Sequence, residues 1–273
     1  MNKLLNISIV LYNTPEDEWR PLVQELLRAQ TVHQIYLIDN SPQPLPNDTN
    51  QKLAITNLKY IHSNINLGYG AAHNIAIRET IYDDISYHLV INSDIQVSAE
   101  AIDRLVDVMQ ANPLIGQLLP RVVGLDGEEQ YLAKRIPTPM DLIRRILFGK
   151  RGLASQTNRR FELRNLDHSR PINAPYLSGC FMLLRTEALL KAGLFDERFF
   201  MYPEDIDLTR RIHRDYLTLY YPSETITHAH RRASYHSLRM FGIHAMNMIR
   251  YFNKWGWFHD PERQEMNNIR TVR

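Results

Sequence analysis

The sequence holds one cysteine, Cys180, in 273 residues, so no internal disulfide can form. That scarcity suits a reducing compartment. No apolar run approaches the roughly 20 residues that span a bilayer. The N-terminal stretch MNKLLNISIVLYN has one lysine, a short apolar run and no small-residue cleavage site after it. It reads as a first strand and not as a secretion signal, and a cytoplasmic location is expected. An excess of one charge is missing too: 32 Lys and Arg face 30 Asp and Glu, a net charge of +2. Nucleic-acid-binding domains usually carry a marked basic excess, so no such partner is expected. Neither His-Glu-x-x-His nor paired Cys-x-x-Cys occurs, which leaves a zinc hydrolase without support. There is no internal repeat and no low-complexity tract.

What is present describes a globular chain with a core. Hydrophobic residues make up 44% and charged residues 23%. The N-terminal half alternates short apolar runs with amphipathic segments. Strands are expected at 5–13, 34–40, 58–64 and 87–92. Between them, Trp19, Leu22, Val23, Leu26 and Leu27 recur at helical spacing, and 70–81 and the run Ile102, Leu105, Val106, Met109 do the same. Continuous apolar strands separated by such helices predict an α/β fold, with a Rossmann-like, mostly parallel sheet covered on both faces. Ligands of these sheets bind beyond the carboxyl ends of the strands. Tyr12, Asn13, Asp39, Asn40, Asn92 and Asp94 all fall at such ends.

The second half is less regular. A hairpin is expected around Asp126 and Gly127, a strand over 176–185 and a short helix over 186–195. A helix beginning at acidic residues follows over 203–215, then extended chain over 218–230 and a long helix over 234–258. The Arg-rich stretch 138–172 reads as mobile or partner-facing.

Three constellations carry chemistry. In NINLGYGAAHN (64–74), two glycines lie between a strand and a helix. Either the turn needs glycine or a ligand approaches the backbone. The third glycine of the dinucleotide fingerprint is absent, and the first strand–helix unit has none. In MYPEDIDLTRR, Glu204, Asp205 and Asp207 crowd the first turn of a helix. Favourable interaction with the helix dipole explains acids there; a carboxylate held in a cleft also serves as a general base. In ITHAHRRASYH, His228 and His230 share a face of an extended segment, and with Asp94 they make a divalent-metal set. Chance pairing among eleven histidines is the alternative.

The order of the pieces adds to this. VLYNT, LIDNS, NINLGYGAAHN and VINSDIQV are followed by YLSGCFMLLRTEAL, GLFDERFFMYPEDIDLTRR and THAHRRAS. The chain resembles family-two glycosyltransferases of the GT-A fold over about residues 5–240, and within them the bacterial rhamnosyltransferase-like branch. The resemblance implies a GT-A domain over 1–233, with a nucleotide-binding half (1–115) and an acceptor and catalytic half (116–233). Residues 234–273 would form a C-terminal helical extension. It implies that Asp39 contacts the base or ribose of a dTDP- or UDP-sugar donor, with Tyr12 and Asn13 lining the same pocket. Asn66, Gly68 and Asn74 would shape the wall near the donor. Asn92-Ser93-Asp94 stands where the family has Asp-x-Asp. Asp94 would hold Mg²⁺ or Mn²⁺, His228 would complete the metal site, and Asp205 would be the general base with Glu204 orienting the acceptor. The implied reaction is an inverting, metal-assisted sugar transfer to a surface-glycan or lipid-linked saccharide acceptor. Gln-x-x-Arg-Trp is absent, which points to a single transfer per encounter.

The departure at Asn92 leaves open a non-catalytic sugar-nucleotide-binding subunit, and the glycines at 68 and 70 leave open a nucleotide-dependent dehydrogenase. The C-terminal helix, mixing Met240, Phe241, Met246, Ile249, Trp255 and Trp257 with His and Arg, is expected to pack on the domain or in a homodimer, or to touch a membrane peripherally.

Overall fold

The computed structural model describes residues 3–46, 57–148, 158–229 and 238–269. His230, Arg231 and Arg232 lie outside the described residues. The N-terminal part runs β1 (Leu5–Leu11), α1 (Glu16–Leu26), β2 (Val32–Asp39), β3 (Leu58–His62), α2 (Tyr69–Tyr82) and β4 (Tyr87–Ile91). Then come β5 (Ile95–Gln96), α3 (Ala99–Ala111), β6 (Ile115–Val123), β7 (Ala133–Lys134) and α4 (Pro139–Phe148). The remainder is β8 (Ile172–Asn173), β9 (Tyr176–Leu177), β10 (Phe181–Arg185), α5 (Thr186–Ala192), α6 (Glu204–Ile212), β11 (Leu217–His228), α7 (Leu238–Trp255) and α8 (Pro261–Met266).

The main sheet has the order β3-β2-β1-β4-β10-β6-β11-β5, with β8 paired to β11. The first four strands are parallel, as their apolar runs predict. Beyond β4 the sheet turns mixed, because β10 is antiparallel to both β4 and β6. Strand order reverses at β1, between β2 and β4. A crevice is therefore expected beyond the carboxyl ends of β1 and β4.

Period-two side-chain alternation divides β1. Leu5, Ile7, Ile9 and Leu11 join Trp19 and Leu22 of α1 and Ile102 and Leu105 of α3 in the larger core. The opposite face carries Asn6 and Ser8, both fully buried. Ser8 Oγ lies 2.6 Å from Nδ1 of His73 on α2 and 2.8 Å from Nε2 of His88 on β4. Thr80 Oγ donates to the Ala76 carbonyl and lies 2.7 Å from His88 Nδ1. Burial holds both imidazoles below their ordinary range, His88 at about 3. A neutral ring has one N–H, so His88 donates from Nδ1 to Thr80 and accepts from Ser8 at Nε2. Ser8 then accepts from His73 Nδ1–H. His73 Nε2 is buried without a partner.

The strand expected over 176–185 is two strands. Ser178–Cys180 interrupts it, because the Gly179 N–H is drawn to Asp205 and not to the ladder. The turn at Asp126–Gly127 forms as expected, with Gly127 at φ 78° and the Gly124 N–H on the Glu128 carbonyl.

Helix α7 is fastened to α6 and the segment before it. Met248, Tyr251 and Phe252 pack with Phe199, Ile206 and Ile136. Trp255 Nε1 and Lys254 Nζ both lie 2.7 Å from Oδ1 of the fully buried Asp207. Asn247 donates to the Met201 carbonyl, and Arg210 of α6 grips Asp260 through two hydrogen bonds at 2.7 and 2.8 Å.

Candidate active site

The polar residues at the ends of β1 and β2 have distinct roles. Tyr12 is 51% exposed and Asn13 also lies at the surface. The Asn13 N–H donates to Ser41 Oγ at 2.8 Å. Asp39 is buried, with Oδ1 accepting from the Ser41 N–H and Oδ2 from the Tyr60 hydroxyl. Burial and the Asp39 carboxylate push the Tyr60 phenol up to about 12, which keeps it a donor. Asp39 therefore organises the loop behind the rim that carries Tyr12 and Asn13.

The two glycines of NLGYG answer to packing. A Cβ on Gly68, at φ 85°, would sit 2.2 Å from the Phe200 carbonyl oxygen. A Cβ on Gly70 would sit 2.8 Å from Phe195 Cβ. The first N–H of α2 is satisfied by the Phe200 carbonyl, so protein occupies the place a phosphate takes in a dinucleotide fold. Asn66 Oδ1 accepts from the Gly68 N–H, and Asn40 Nδ2 donates to the Gly68 carbonyl. Asn74 is a buried strut. Its amide donates to the Phe195 carbonyl and to Glu197, and its Oδ1 accepts from the Phe195 N–H. Asn66 is exposed, whereas the side chain of Asn74 does not reach the cleft, because both ends of its amide are spent on the 195–197 segment.

Asp94 and His228 come together. Residues 95–96 pair antiparallel with 227–228, and the Ala229 N–H donates to the Asp94 carbonyl. This sets Asp94 Oδ1 3.2 Å from His228 Nε2. His228 Nδ1 lies 3.0 Å from Gln130 Oε1, while Gln130 Nε2 donates to the His228 carbonyl. With Nδ1 turned to Gln130, Nε2 is the ring nitrogen that faces Asp94. No cluster of three or more His, Cys, Asp or Glu side chains suited to a metal occurs among the described residues. A carboxylate and an imidazole fit a Mg²⁺- or Mn²⁺-type cation whose remaining ligands are water and substrate phosphate oxygens. A cavity of 280 Å³ adjoins Asp94, but Asp17, Glu18 and Glu25 line it. Its carboxylates would repel a diphosphate, so the donor is not assigned to it.

The acid pair opens α6. Glu204 and Asp205 are both buried, and burial raises both above the ordinary carboxylate range. Their surroundings differ. Asp205 Oδ2 accepts from the Gly179 N–H at 3.0 Å, and Tyr176 and Lys134 also favour its charged form. Glu204 has only backbone donors of its own turn, Glu204 and Tyr202, and its Oε2 has no partner. Two adjacent buried carboxyls do not both ionise readily, so the proton they keep rests on Glu204 and the charge on Asp205. A Cβ on Gly179 would come within 3.1 Å of Asp205 Cβ, so glycine lets the turn close over the carboxylate.

Tyr69 joins these parts. Its hydroxyl lies 3.0 Å from Asn92 Oδ1 and 2.7 Å from the Gly179 carbonyl. The Asn92 N–H donates to the Cys180 carbonyl. Asp94, Glu204 and Asp205 all raise the Tyr69 phenol, after burial and Cys180, which marks how near the site's acids lie to it. Sequence reasoning misses Tyr69, Gly179, Gln130, Lys134 and Tyr176. Tyr69, Tyr176 and Gly179 sit inside NINLGYGAAHN and YLSGCFMLLRTEAL. Gln130 and Lys134 occupy unremarkable stretches and are brought in by strand and loop pairing.

A mixed sheet whose strand order reverses at β1, with helices on its faces, is the frame of the GT-A glycosyltransferase fold. The chain belongs to glycosyl transferase family 2, whose profile matches residues 7–193. It is 27% identical to an N-acetylglucosaminyl-diphospho-decaprenol L-rhamnosyltransferase of Mycobacterium tuberculosis, over 100% of this chain and 92% of that protein. Among solved structures it is similar to GalNAc-T7 with UDP, GalNAc and Mn²⁺, at a TM-score of 0.64 and 16% identity. That match covers 93% of this chain and 48% of the other. A Pyrobaculum calidifontis mannosyltransferase with GDP-Man and Mn²⁺ gives a TM-score of 0.61 at 13% identity, covering 98% of this chain and 68% of the other. The protein is a glycosyltransferase of the rhamnosyltransferase-like kind, and the glycines at 68 and 70 do not mark a dehydrogenase.

Proposed function

We infer that this glycosyltransferase works with inversion, assisted by a divalent cation, and makes one transfer per encounter. It moves a deoxyhexose, rhamnose by analogy with its mycobacterial relative, from a dTDP- or UDP-linked donor to a hydroxyl of a lipid-linked saccharide of bacterial surface glycan. The observation that carries this reading is the unequal acid pair: Gly179, Tyr176 and Lys134 favour the charged form of Asp205, while Glu204 has only the backbone of its own turn, Glu204 and Tyr202, and its Oε2 meets no donor. A charged, desolvated carboxylate within hydrogen-bond reach of an acceptor hydroxyl takes its proton as the new bond forms.

In this reading Tyr12 and Asn13 border the nucleoside, with Asp39 bracing their loop, Asn66 and Gly68 setting the nearby wall, and Asn74 bracing that wall from behind. Asp94 and His228 would hold Mg²⁺ or Mn²⁺, with Asn92 beside them, and the cation would supply charge to offset that of the nucleoside diphosphate. Asp205 accepts the acceptor proton, and the acceptor oxygen attacks the anomeric carbon from the face opposite the leaving group. The sugar inverts, and the nucleoside diphosphate leaves with the electron pair of the broken bond. Glu204, protonated, donates a hydrogen bond to the acceptor and orients it.

With a lipid-linked acceptor, the work is done at the inner face of a membrane. Phe241, Met246 and Ile249 are exposed on α7 and Met140 and Ile143 on α4, and they support a peripheral contact. No described helix is long and apolar enough to cross a membrane. The test is transfer from dTDP-rhamnose and UDP-sugars to a polyprenyl-diphospho-N-acetylglucosamine with Mn²⁺, reading product anomeric configuration by NMR. Product with inverted configuration that disappears with EDTA is expected. Retained configuration, or full turnover in EDTA, would overturn the reading.

A further inference from the structure

The side chain at 92 is an amide where the family has a carboxylate, and the Tyr69 hydroxyl touches it. That hydroxyl has a single proton and two oxygens in range, the Gly179 carbonyl at 2.7 Å and the Asn92 side chain at 3.0 Å. The shorter contact takes the proton. The phenolic oxygen is then an acceptor, and it needs a donor at 92. Turning the Asn92 amide by half a revolution exchanges Oδ1 and Nδ2 within the same volume, and an Nδ2–H then meets the phenol. A carboxylate has no proton to offer there. It would take the Tyr69 proton for itself, because an ionised acceptor outcompetes a carbonyl. The Gly179 carbonyl would lose its partner, in the turn whose Gly179 N–H holds Asp205.

We propose that Tyr69 is a positioning residue, and that the chain Asn92 to Tyr69 to Gly179 to Asp205 ties the cation side of the cleft to its base. Asn92 is the amide this chain requires and not a degraded metal ligand. With Nδ2 on Tyr69, position 92 adds no charge beside Asp94. The role given to Asp205 rests on the function proposed above; the Asn92–Tyr69–Gly179 chain stands without it.

The test uses the full chain in four forms: wild type, Asn92→Asp, Tyr69→Phe and the double variant. Urea unfolding in EDTA reads the bridge without any cation or turnover. Asn92→Asp is expected to lower the folding constant about tenfold when Tyr69 is intact, the worth of one hydrogen bond. In the Tyr69→Phe background it should cost less than half of that, as a logarithm. Repulsion between a carboxylate at 92 and Asp94 is common to both backgrounds and cancels in the cycle. Under saturating donor and Mn²⁺, Asn92→Asp is expected to lower kcat about tenfold while lowering the Mn²⁺ concentration for half-maximal rate. In the Tyr69→Phe background the kcat loss shrinks to about twofold. Equal costs in both backgrounds, or an Asn92→Asp enzyme as fast as wild type, would overturn the proposal. If wild type transfers no sugar from any donor, the function reading fails, and the unfolding cycle alone decides for or against the bridge.

Discussion

Among the described residues, two buried pairs of like titratable side chains are built to opposite ends: His73 with His88, and Glu204 with Asp205. His73 and His88 lie under β1, closed off by Ser8 and Thr80, and neither touches solvent. Glu204 and Asp205 open α6 beside the strand ends, where Asp205 keeps 9% of its surface. Burial pushes the imidazoles down and the carboxyls up, so each pair is driven toward neutrality. In the acid pair one member meets donors from distant parts of the chain: Asp205 has Gly179 and Tyr176, while Glu204 has only the backbone of its own turn. Burial and perturbed titration therefore do not by themselves mark a catalytic site. What distinguishes the acid pair is unequal solvation of two like groups at the cleft.

The largest expected effect separates the pairs by activity. Asp205→Asn should lower kcat by about 10³-fold, within the range of general-base contributions. His88→Asn should leave kcat within about twofold wherever the protein is folded. Comparable rates for wild type and Asp205→Asn would erase the distinction. Next comes stability. Ser8→Ala removes the hydroxyl that both imidazoles share and leaves buried ring nitrogens unpaired, at a cost of about 2–3 kcal/mol. Urea unfolding at pH 7.5 measures it, and a change under about 0.5 kcal/mol would show that the chain of hydroxyls contributes little.

The pairs also oppose each other as pH changes. A histidine held neutral in the fold contributes full stability above its unfolded value near 6.5, and that contribution is lost as pH falls toward the folded value. For His88 the folded value is about 3, so the loss is about 1.4 kcal/mol per unit through the acidic range. Glu204, raised in the fold, acts in reverse: its contribution is full below about 4.5 and fades as pH rises toward its folded value. Unfolding of wild type and His88→Gln at pH 7.5 and 5.5 isolates the histidine. The variant should lose about 1.4 kcal/mol less on acidification, and parallel losses would contradict the neutral assignment. The smallest effect sharpens the acid pair itself. Glu204→Gln preserves a neutral hydrogen-bonding group and should cost kcat less than about tenfold, far below Asp205→Asn. Equal losses from the two changes would mean that the charge is shared.

Much of the frame was legible because its signals are local. The apolar runs that end at Leu11, Asp39 and Ile91 announce the parallel strands, and the polar residues that follow them mark the crevice. Asp94 and His228 were readable as a pair through motif order, and β5–β11 pairing brings them to 3.2 Å. The remainder depends on long-range contact. Nothing near Asn74 in the sequence says that residue 195 will claim both ends of its amide. Nothing in YLSGC says that Gly179 will leave the ladder for a carboxylate 26 residues on. The inequality of Glu204 and Asp205 is invisible in the letters, since it lies in which oxygen meets a donor.

The fastening of α7 to α6 has a consequence for how the enzyme is made. The family profile ends at residue 193, before the acid pair, before His228 and before Lys254 and Trp255, which hold Asp207. A ribosome delivers β1 to β4 well before Asp205, His228 and the Lys254–Trp255 clamp. Until α7 has emerged, Asp207 stands without the ammonium and the indole that hold it.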